Sequence, residues 1–292
     1  MNNSINKILS HRLRGFDNFE HTEKAIKEAV KSDILYLEID TRVSKDNVIF
    51  VYHDAIYETI DKIEINITKT KSNIIYQNLH QLGDKLLTLD RLLEIFSTRE
   101  NKEQKLCIDI KDYGYEKEHL QLVQKYDLID SIIWVSWIPQ TLLVLHKLVP
   151  TMPKVLSFMP LQKFGIIGSI FEKISIIKIP FINIVVMGKK YFNTDLKKKN
   201  FAVGFQHAYL AKELSLELLN ILKESNGGIC IQKEFFTDEI KRYSKQNHLA
   251  LLLFSINSKE EYEHYSKYNA NILFADSLIF DKSDTPNSHH NN

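Results

Sequence analysis

Short β-type runs alternate with helical stretches along the whole chain, and this alternation limits the fold more than any other feature. Strand-like runs fall at 7–10, 34–43, 105–111, 131–136, 154–158, 228–231, 249–254 and 272–275, with further β-like runs at 48–52, 184–187 and 201–205. Between them, apolar residues take helical spacing at 22–31, 87–96, 116–126, 139–148, 212–223, 237–247 and 259–267. Thr22 and Thr88 are candidate N-caps, and Pro139 stands at a first helical turn. The 249–254 run is apolar throughout, as a parallel strand covered on both faces requires. There is no solenoid-length repeat and no linker. About eight βα units in one chain imply a single-domain (β/α)8 TIM barrel. Its expected extent is 1–282, with a disordered polar tail over 283–292. Residues 55–85 read as irregular, with a polar loop at 68–73, and 159–205 follow no clear period.

Composition removes several function classes. The apolar fraction is 44%, the charged fraction 26% and the net charge +1, so nothing points to a nucleic-acid partner. The clusters Lys189-Lys190 and Lys197-Lys198-Lys199 read as solvated faces. Cys107 and Cys230 lie in apolar runs and read as buried free thiols. The first seven residues lack an apolar signal core, so a cytoplasmic protein is expected. The segment 164–186 is rich in Ile and Phe, but Glu172, Lys173, Lys178 and Pro180 interrupt it. It is expected to pack on the barrel, the alternative being a peripheral contact with a membrane. The sequence does not bear on oligomeric state.

Within the 34–43 run, Leu37, Ile39, Thr41 and Val43 share one face and Tyr36, Glu38, Asp40 and Arg42 the other. Two carboxylates at i and i+2 must point the same way, a few ångströms apart. They repel unless one is protonated or a positive charge lies between them. The 105–111 run repeats the pattern: Leu106, Ile108 and Ile110 on one face, Cys107, Asp109 and Lys111 on the other. His11-Arg12, Glu38 and Asp40, His53, Asp109 and Lys111, Ser136 and Asn257 all fall at or just past strand ends, where such barrels build active sites. Glu38, Asp40 and Asp109 offer only oxygen, which favours one divalent cation, Mg²⁺ or Ca²⁺, over zinc. Arg42 is expected beyond the strand end, at the surface. Glu20 is expected to brace the loop around His11, and Asp54 to orient its own loop. His21, His80, His119, His146, His207, His248 and His264 are expected to be structural or exposed.

His11-Arg12, Glu20-x-Thr22, Glu38-x-Asp40, Ser44-Lys45-Asp46 and His53-Asp54 together resemble the glycerophosphodiester phosphodiesterase family, whose opening reads HRG, PENT, E-x-D, T-K-D-G and HD. Asp109-Ile110-Lys111, Ser136-Trp137, Phe254-Ser255-Ile256-Asn257 and Ala275-Asp276 resemble its later E-I-K, S-F, W-T-V-N and T-D. The resemblance implies a barrel that cleaves glycerophosphodiesters to glycerol 3-phosphate and an alcohol. It implies His11 and His53 as the acid–base pair, with their roles open. Glu38, Asp40 and Asp109 would be the metal ligands, and Arg12 and Lys111 would neutralise charge on the phosphate. The nucleophile it implies is water or the substrate's own glycerol hydroxyl. Leu13 stands where the family has glycine, His21 where it has asparagine, and Asp109 where it has glutamate. Ser255 and Ala275 stand where it has threonine. These departures keep two alternatives open: a lysophospholipase-D-like enzyme working on lysolipid at a membrane, and an inactive barrel serving as a binding protein.

Overall fold

Eight parallel strands close on themselves in the computed structural model, which describes residues 7–59, 62–82, 86–161, 173, 176–189, 203–268 and 270–276. They are β1 (Ile8–Ser10), β2 (Tyr36–Val43), β3 (Lys105–Ile110), β4 (Ile132–Ser136), β5 (Lys154–Ser157), β6 (Gly228–Gln232), β7 (Ala250–Ile256) and β8 (Ile272–Ala275). Each pairs in parallel with the next, and β1 joins β8 through Leu9 and Phe274 and β2 through Leu9 and Tyr36. The expected (β/α)8 barrel is therefore present. Helices α1 (Glu23–Ala29), α2 (Ser72–Leu82), α3 (Leu89–Ser97), α4 (Glu116–Lys125), α5 (Pro139–Leu148), α6 (Leu216–Glu224), α7 (Asp238–Gln246) and α8 (Lys259–Ser266) accompany it. Thr22, Thr88, Ser215, Thr237 and Ser258 each accept a backbone N–H two or three residues into a helix, so local chemistry sets most helix starts.

Strand alternation sorts the residues into two cores. Outward-facing Leu37, Ile39, Leu106, Ile108, Leu251 and Leu253 pack under the helices. Leu9, Cys107, Val135, Val155, Cys230, Leu252, Ile272 and Phe274 fill the barrel interior. Both cysteines are free and buried there, as expected. Above this apolar plug, at the C-terminal mouth of the barrel, the inward-facing positions become polar.

The structure corrects several expectations. The β-run expected at 48–52 is present as Ile49–Val51, and it lies antiparallel to β2, outside the barrel wall. Residues 55–85 hold a hairpin, Ile56–Glu58 with Glu64–Asn66, and then α2, which the polar residues of this stretch masked. The expected strand at 201–205 lies instead at Gln206–Ala211. Gly204 turns the chain just before it with φ of +81°, and a Cβ there would meet Thr68 Oγ1 at 2.6 Å. Ile176–Ile179, Ile184–Met187, Gln206–Ala211 and Met159–Pro160 make a second sheet on the excursion between β5 and α6. Among the described residues no helix is long and apolar enough to cross a membrane. The tail at 283–292, most of 164–175, and Lys197–Lys199 lie outside the described residues.

Arg42 is the clearest error of the sequence reading. Strand β2 runs on to Val43, and the Arg42 side chain is fully buried in an ion pair with Asp112 at 3.0 Å. The same guanidinium donates to the carbonyls of His53 (2.9 Å) and Phe205 (3.0 Å), while Asp112 accepts from the backbone of Val43 and Gly204. A buried charge with so many partners is a structural node, not a surface group.

His119 is structural, as expected. It accepts from Thr41 Oγ1 at Nε2 (3.0 Å) and donates from Nδ1 to the Tyr115 carbonyl (2.7 Å), tying α4 to β2. Burial holds its imidazole down at about 4, against about 6.5 in an unfolded chain. Between these values the unfolded chain binds a proton that the fold refuses. The stability His119 contributes is thus complete above about pH 6.5 and lost as pH falls toward 4. At pH 5 the loss relative to pH 7 is on the order of 2 kcal/mol. Urea unfolding at the two pH values checks this: His119→Gln, which keeps a donor and an acceptor, should lose less stability between them than the parent does.

Candidate active site

The acidic layer follows directly from strand register. Glu38 and Asp40 point inward from β2, and Asp40 pairs across to Asp109 on β3. All three side chains are buried, and one oxygen from each lies within 4.8 Å of the others. Lys111, just past β3, reaches back to Asp40 Oδ1 (2.8 Å) and Asp109 Oδ2 (2.6 Å). Arg12 adds its Nε at 3.1 Å from Asp40 Oδ2, and its backbone N–H donates to Glu38 Oε2 at 2.9 Å.

That double grip depends on the turn after β1. Arg12 and Leu13 both take left-handed backbone, with φ of 55° and 56°. This is costly for residues with a Cβ, on the order of 1–2 kcal/mol each. Leu13 offsets its share by sinking fully into the outer core. The family's glycine is thus replaced by a residue that keeps the conformation and gains burial. His21, the other departure nearby, is buried against Asp40 and accepts the Asp40 backbone N–H at 3.4 Å. Burial lowers its imidazole to about 4, so it is neutral there.

Two imidazoles frame the cluster, each held by a carboxylate. His11 Nδ1 donates to Asp276 Oδ1 at 2.5 Å, and its Nε2 lies 3.9 Å from Glu38 Oε2. His53 Nδ1 donates to Asp54 Oδ1 at 2.9 Å, as expected of a carboxylate that orients its loop. Glu20 accepts from Arg12 at 3.4 Å and from Arg14 at 2.7 and 3.0 Å, and Arg14 also donates to Asp276 at 2.8 Å. Glu20 therefore braces the His11 loop. The pocket above these groups is walled by Trp137, Phe254, Ser255 and Phe274.

Ser136 and Asn257 do not join them. Ser136 is buried and spends its hydroxyl on the Ile110 carbonyl and the Ile138 N–H. A register shift in β7 between Leu253 and Ile256, with Ser255 at φ of 70°, turns both Phe254 and Ser255 into the pocket. Asn257 is left exposed at the start of α8. Asp276 and Trp137, expected only as matches to the family's T-D and S-F, both join the pocket region. Their roles were legible in principle, since each stands just past a strand's C-terminal end.

The electrostatics show a site short of positive charge. Burial, then Asp40 and Asp109, lift Glu38 well above the carboxylate range. Burial would raise Asp40 too, but Lys111, His53, Arg12 and His21 hold it well below that range. Three carboxylates face two cations, and Asp109 Oδ1 is buried without a hydrogen-bond partner. Oxygen-only donors, an orphaned carboxylate oxygen and a carboxyl driven toward protonation fit a bound divalent cation. The geometry assembles all seven of the residues His11, Arg12, Glu38, Asp40, His53, Asp109 and Lys111 around one pocket.

A model of the glycerophosphoryl diester phosphodiesterase family matches residues 9–285. The chain belongs to that family. Its members are phosphoric diester hydrolases. Human lysophospholipase D GDPD1 is 25% identical over 140 residues, covering 44% of this chain and 45% of the human protein, so the match spans less than half of that protein's length. Among solved structures, a Silicibacter pomeroyi protein assigned as a glycerophosphoryl diester phosphodiesterase has a TM-score of 0.64 at 13% identity, covering 94% of this chain and 91% of the other. An Oleispira antarctica phosphodiesterase in complex with its product sn-glycerol-3-phosphate gives 0.60 at 16% identity, covering 92% of each chain. A glycerophosphodiester phosphodiesterase of Thermotoga maritima gives 0.58 at 15%, covering 92% and 93%. At such identities these structures speak for the shared barrel alone.

An acidic cluster able to hold a cation makes a direct prediction for this family member. Adding Ca²⁺ or Mg²⁺ should raise the melting temperature, because the ion binds the folded site only. Asp109→Asn, nearly isosteric but uncharged, should remove most of that rise. An equal rise in the variant would exclude Asp109 as a ligand.

Proposed function

We propose that this chain is a divalent-cation-dependent hydrolase that cleaves glycerophosphodiesters to glycerol 3-phosphate and an alcohol. The observation that carries the reading is the buried trio Glu38, Asp40 and Asp109 lying between two carboxylate-held imidazoles in one pocket. Glu38, Asp40 and Asp109 would hold Mg²⁺ or Ca²⁺, which supplies charge withdrawal from the phosphoryl oxygens. Arg12 and Lys111 add fixed positive charge at the floor of the same pocket, where water is scarce and each charge counts for more. One of His11 and His53 takes a proton from the attacking water as its oxygen bonds to phosphorus, or from the substrate's own glycerol hydroxyl, in which case water then opens the cyclic phosphate to glycerol 3-phosphate. The other gives a proton to the alcohol oxygen as its bond to phosphorus breaks. Asp276 and Asp54 keep each Nδ1 protonated, which leaves each Nε2 free for this work. Burial and then Lys111 lower His53 below the ordinary imidazole range, so it is ready to accept a proton near neutral pH.

A screen of purified protein on glycerophosphocholine and related diesters, with EDTA as control, tests this. Turnover should require the cation, and His11→Ala and His53→Ala should each cut it by ~10²–10⁴ with the fold intact. Unchanged turnover in both variants would end the assignment.

A second reading moves the same chemistry to lipid, and one surface feature favours it. The hairpin of Ile176–Ile179 and Ile184–Met187 ends in a tip where Phe181 is 85% exposed, and Ile177 further along it is 42% exposed. No acidic residue lies between Lys173 and Lys190, and Lys178 stands just before the tip, so the hairpin is apolar and basic together. That pairing suits the surface of an anionic bilayer, where a lysolipid substrate would be found. Co-sedimentation with phosphatidylserine-containing vesicles should be clear for the parent and weakened in Phe181→Ser. No sedimentation of the parent, together with no turnover of lysolipid, would dismiss the lipid reading.

A further inference from the structure

We propose that Gln206, on the excursion between β5 and α6, is a positioning residue for His53. The inference rests on the role proposed for His53 above. His53 follows Ile49–Val51, a strand outside the barrel wall, so the barrel itself does not fix its ring. The ring is oriented by Asp54, yet the Asp54 side chain is 60% exposed on a loop. Left alone, such a carboxylate would be free to rotate into solvent. Gln206 Nε2 donates to the same Asp54 Oδ1 at 2.9 Å, from a residue 152 positions further along the chain.

The neighbours of Gln206 repeat the pattern. The Phe205 carbonyl accepts from Arg42, whose Nε donates to the His53 carbonyl, and the Gly204 N–H donates to Asp112, the partner of Arg42. Three consecutive residues at the start of Gln206–Ala211 thus hold the backbone and the ring of His53 from the far side. An amide suits the task. It donates one hydrogen bond to Asp54 without cancelling its charge, so Asp54 still accepts Nδ1–H and leaves Nε2 bare. A lysine there would neutralise Asp54, and a carboxylate would repel it.

A double-mutant cycle with glycerophosphocholine as substrate tests this. Gln206→Glu keeps the side chain's size and loses the donor. It should lower kcat roughly 10-fold or more with KM and melting temperature little changed. In an Asp54→Ala background, Gln206→Glu should cost nothing further, because its only route to His53 is gone. Gln206→Ala provides the same comparison should the glutamate variant melt early. An undiminished loss in the Asp54→Ala background, or no loss of kcat in either Gln206 variant, would overturn the proposal. ¹⁵N NMR of the His53 ring gives a readout independent of turnover: a single Nδ1–H tautomer in the parent and a mixture in Gln206→Glu. An unchanged ring spectrum would also overturn it. Absence of turnover in the parent would count against the proposed function, and the ring spectrum would still decide Gln206.

Discussion

The candidate site is arranged around one electrostatic problem: three carboxylates from two adjacent strands buried within 4.8 Å of one another. Placing such charges together out of water costs several kcal/mol per ion unless other groups compensate. Arg12 and Lys111 supply part of the compensation through contacts of 2.6–3.1 Å. The remainder is visible in Glu38, whose carboxyl is driven toward its protonated form. A divalent cation would let Glu38 ionise, and the site would then carry one net positive charge to meet a singly charged diester. Stability without the ion and affinity for the ion are therefore opposing demands on the same three side chains.

The parts of the fold that were legible in the sequence are those with a strong local signal. Thr22, Thr88 and Pro139 mark helix starts because the unpaired N–H groups of a first turn demand such residues. Alternation in β2 and β3 put Glu38, Asp40, Asp109 and Lys111 on inward faces, and the period of a strand leaves no other choice. What stayed hidden depends on contacts far apart in sequence. Arg42 looked like a surface group because nothing near it in the chain announces Asp112, 70 residues away, or Phe205, 163 away. Asn257 was misplaced for a related reason. The register shift in β7 breaks the two-residue period, and no residue there signals the irregularity.

The departures from the family pattern fall into a physical order. Leu13 and His21 replace small residues beside the cluster, and both are absorbed by burial. Leu13 extends the outer core, and His21 remains neutral and accepts the Asp40 backbone N–H. Asp109 is one methylene shorter than glutamate but still meets Asp40 and Glu38, because β2 and β3 pair directly at Asp40 and Asp109. The substitutions that looked most damaging thus lie where strand geometry or apolar packing could accommodate them. The residues that face the pocket keep the chemical types that phosphodiester hydrolysis uses.

The excursion between β5 and α6 is where this chain differs most from a bare barrel, and it is not decoration. Its second sheet touches the mouth through Gly204, Phe205 and Gln206, and the exposed Phe181 tip lies beside them: the Gln206 N–H donates to the Asn183 carbonyl at 2.7 Å. Strand pairing runs from the tip to the mouth in two steps, Ile179 with Ile184 across the hairpin and then Ile184 with Gln206. A force or contact at the tip is therefore only two strand pairings from the amide that holds Asp54. The inserted sheet thus reaches, through the Gln206 amide, the Asp54 carboxylate that accepts from the His53 ring.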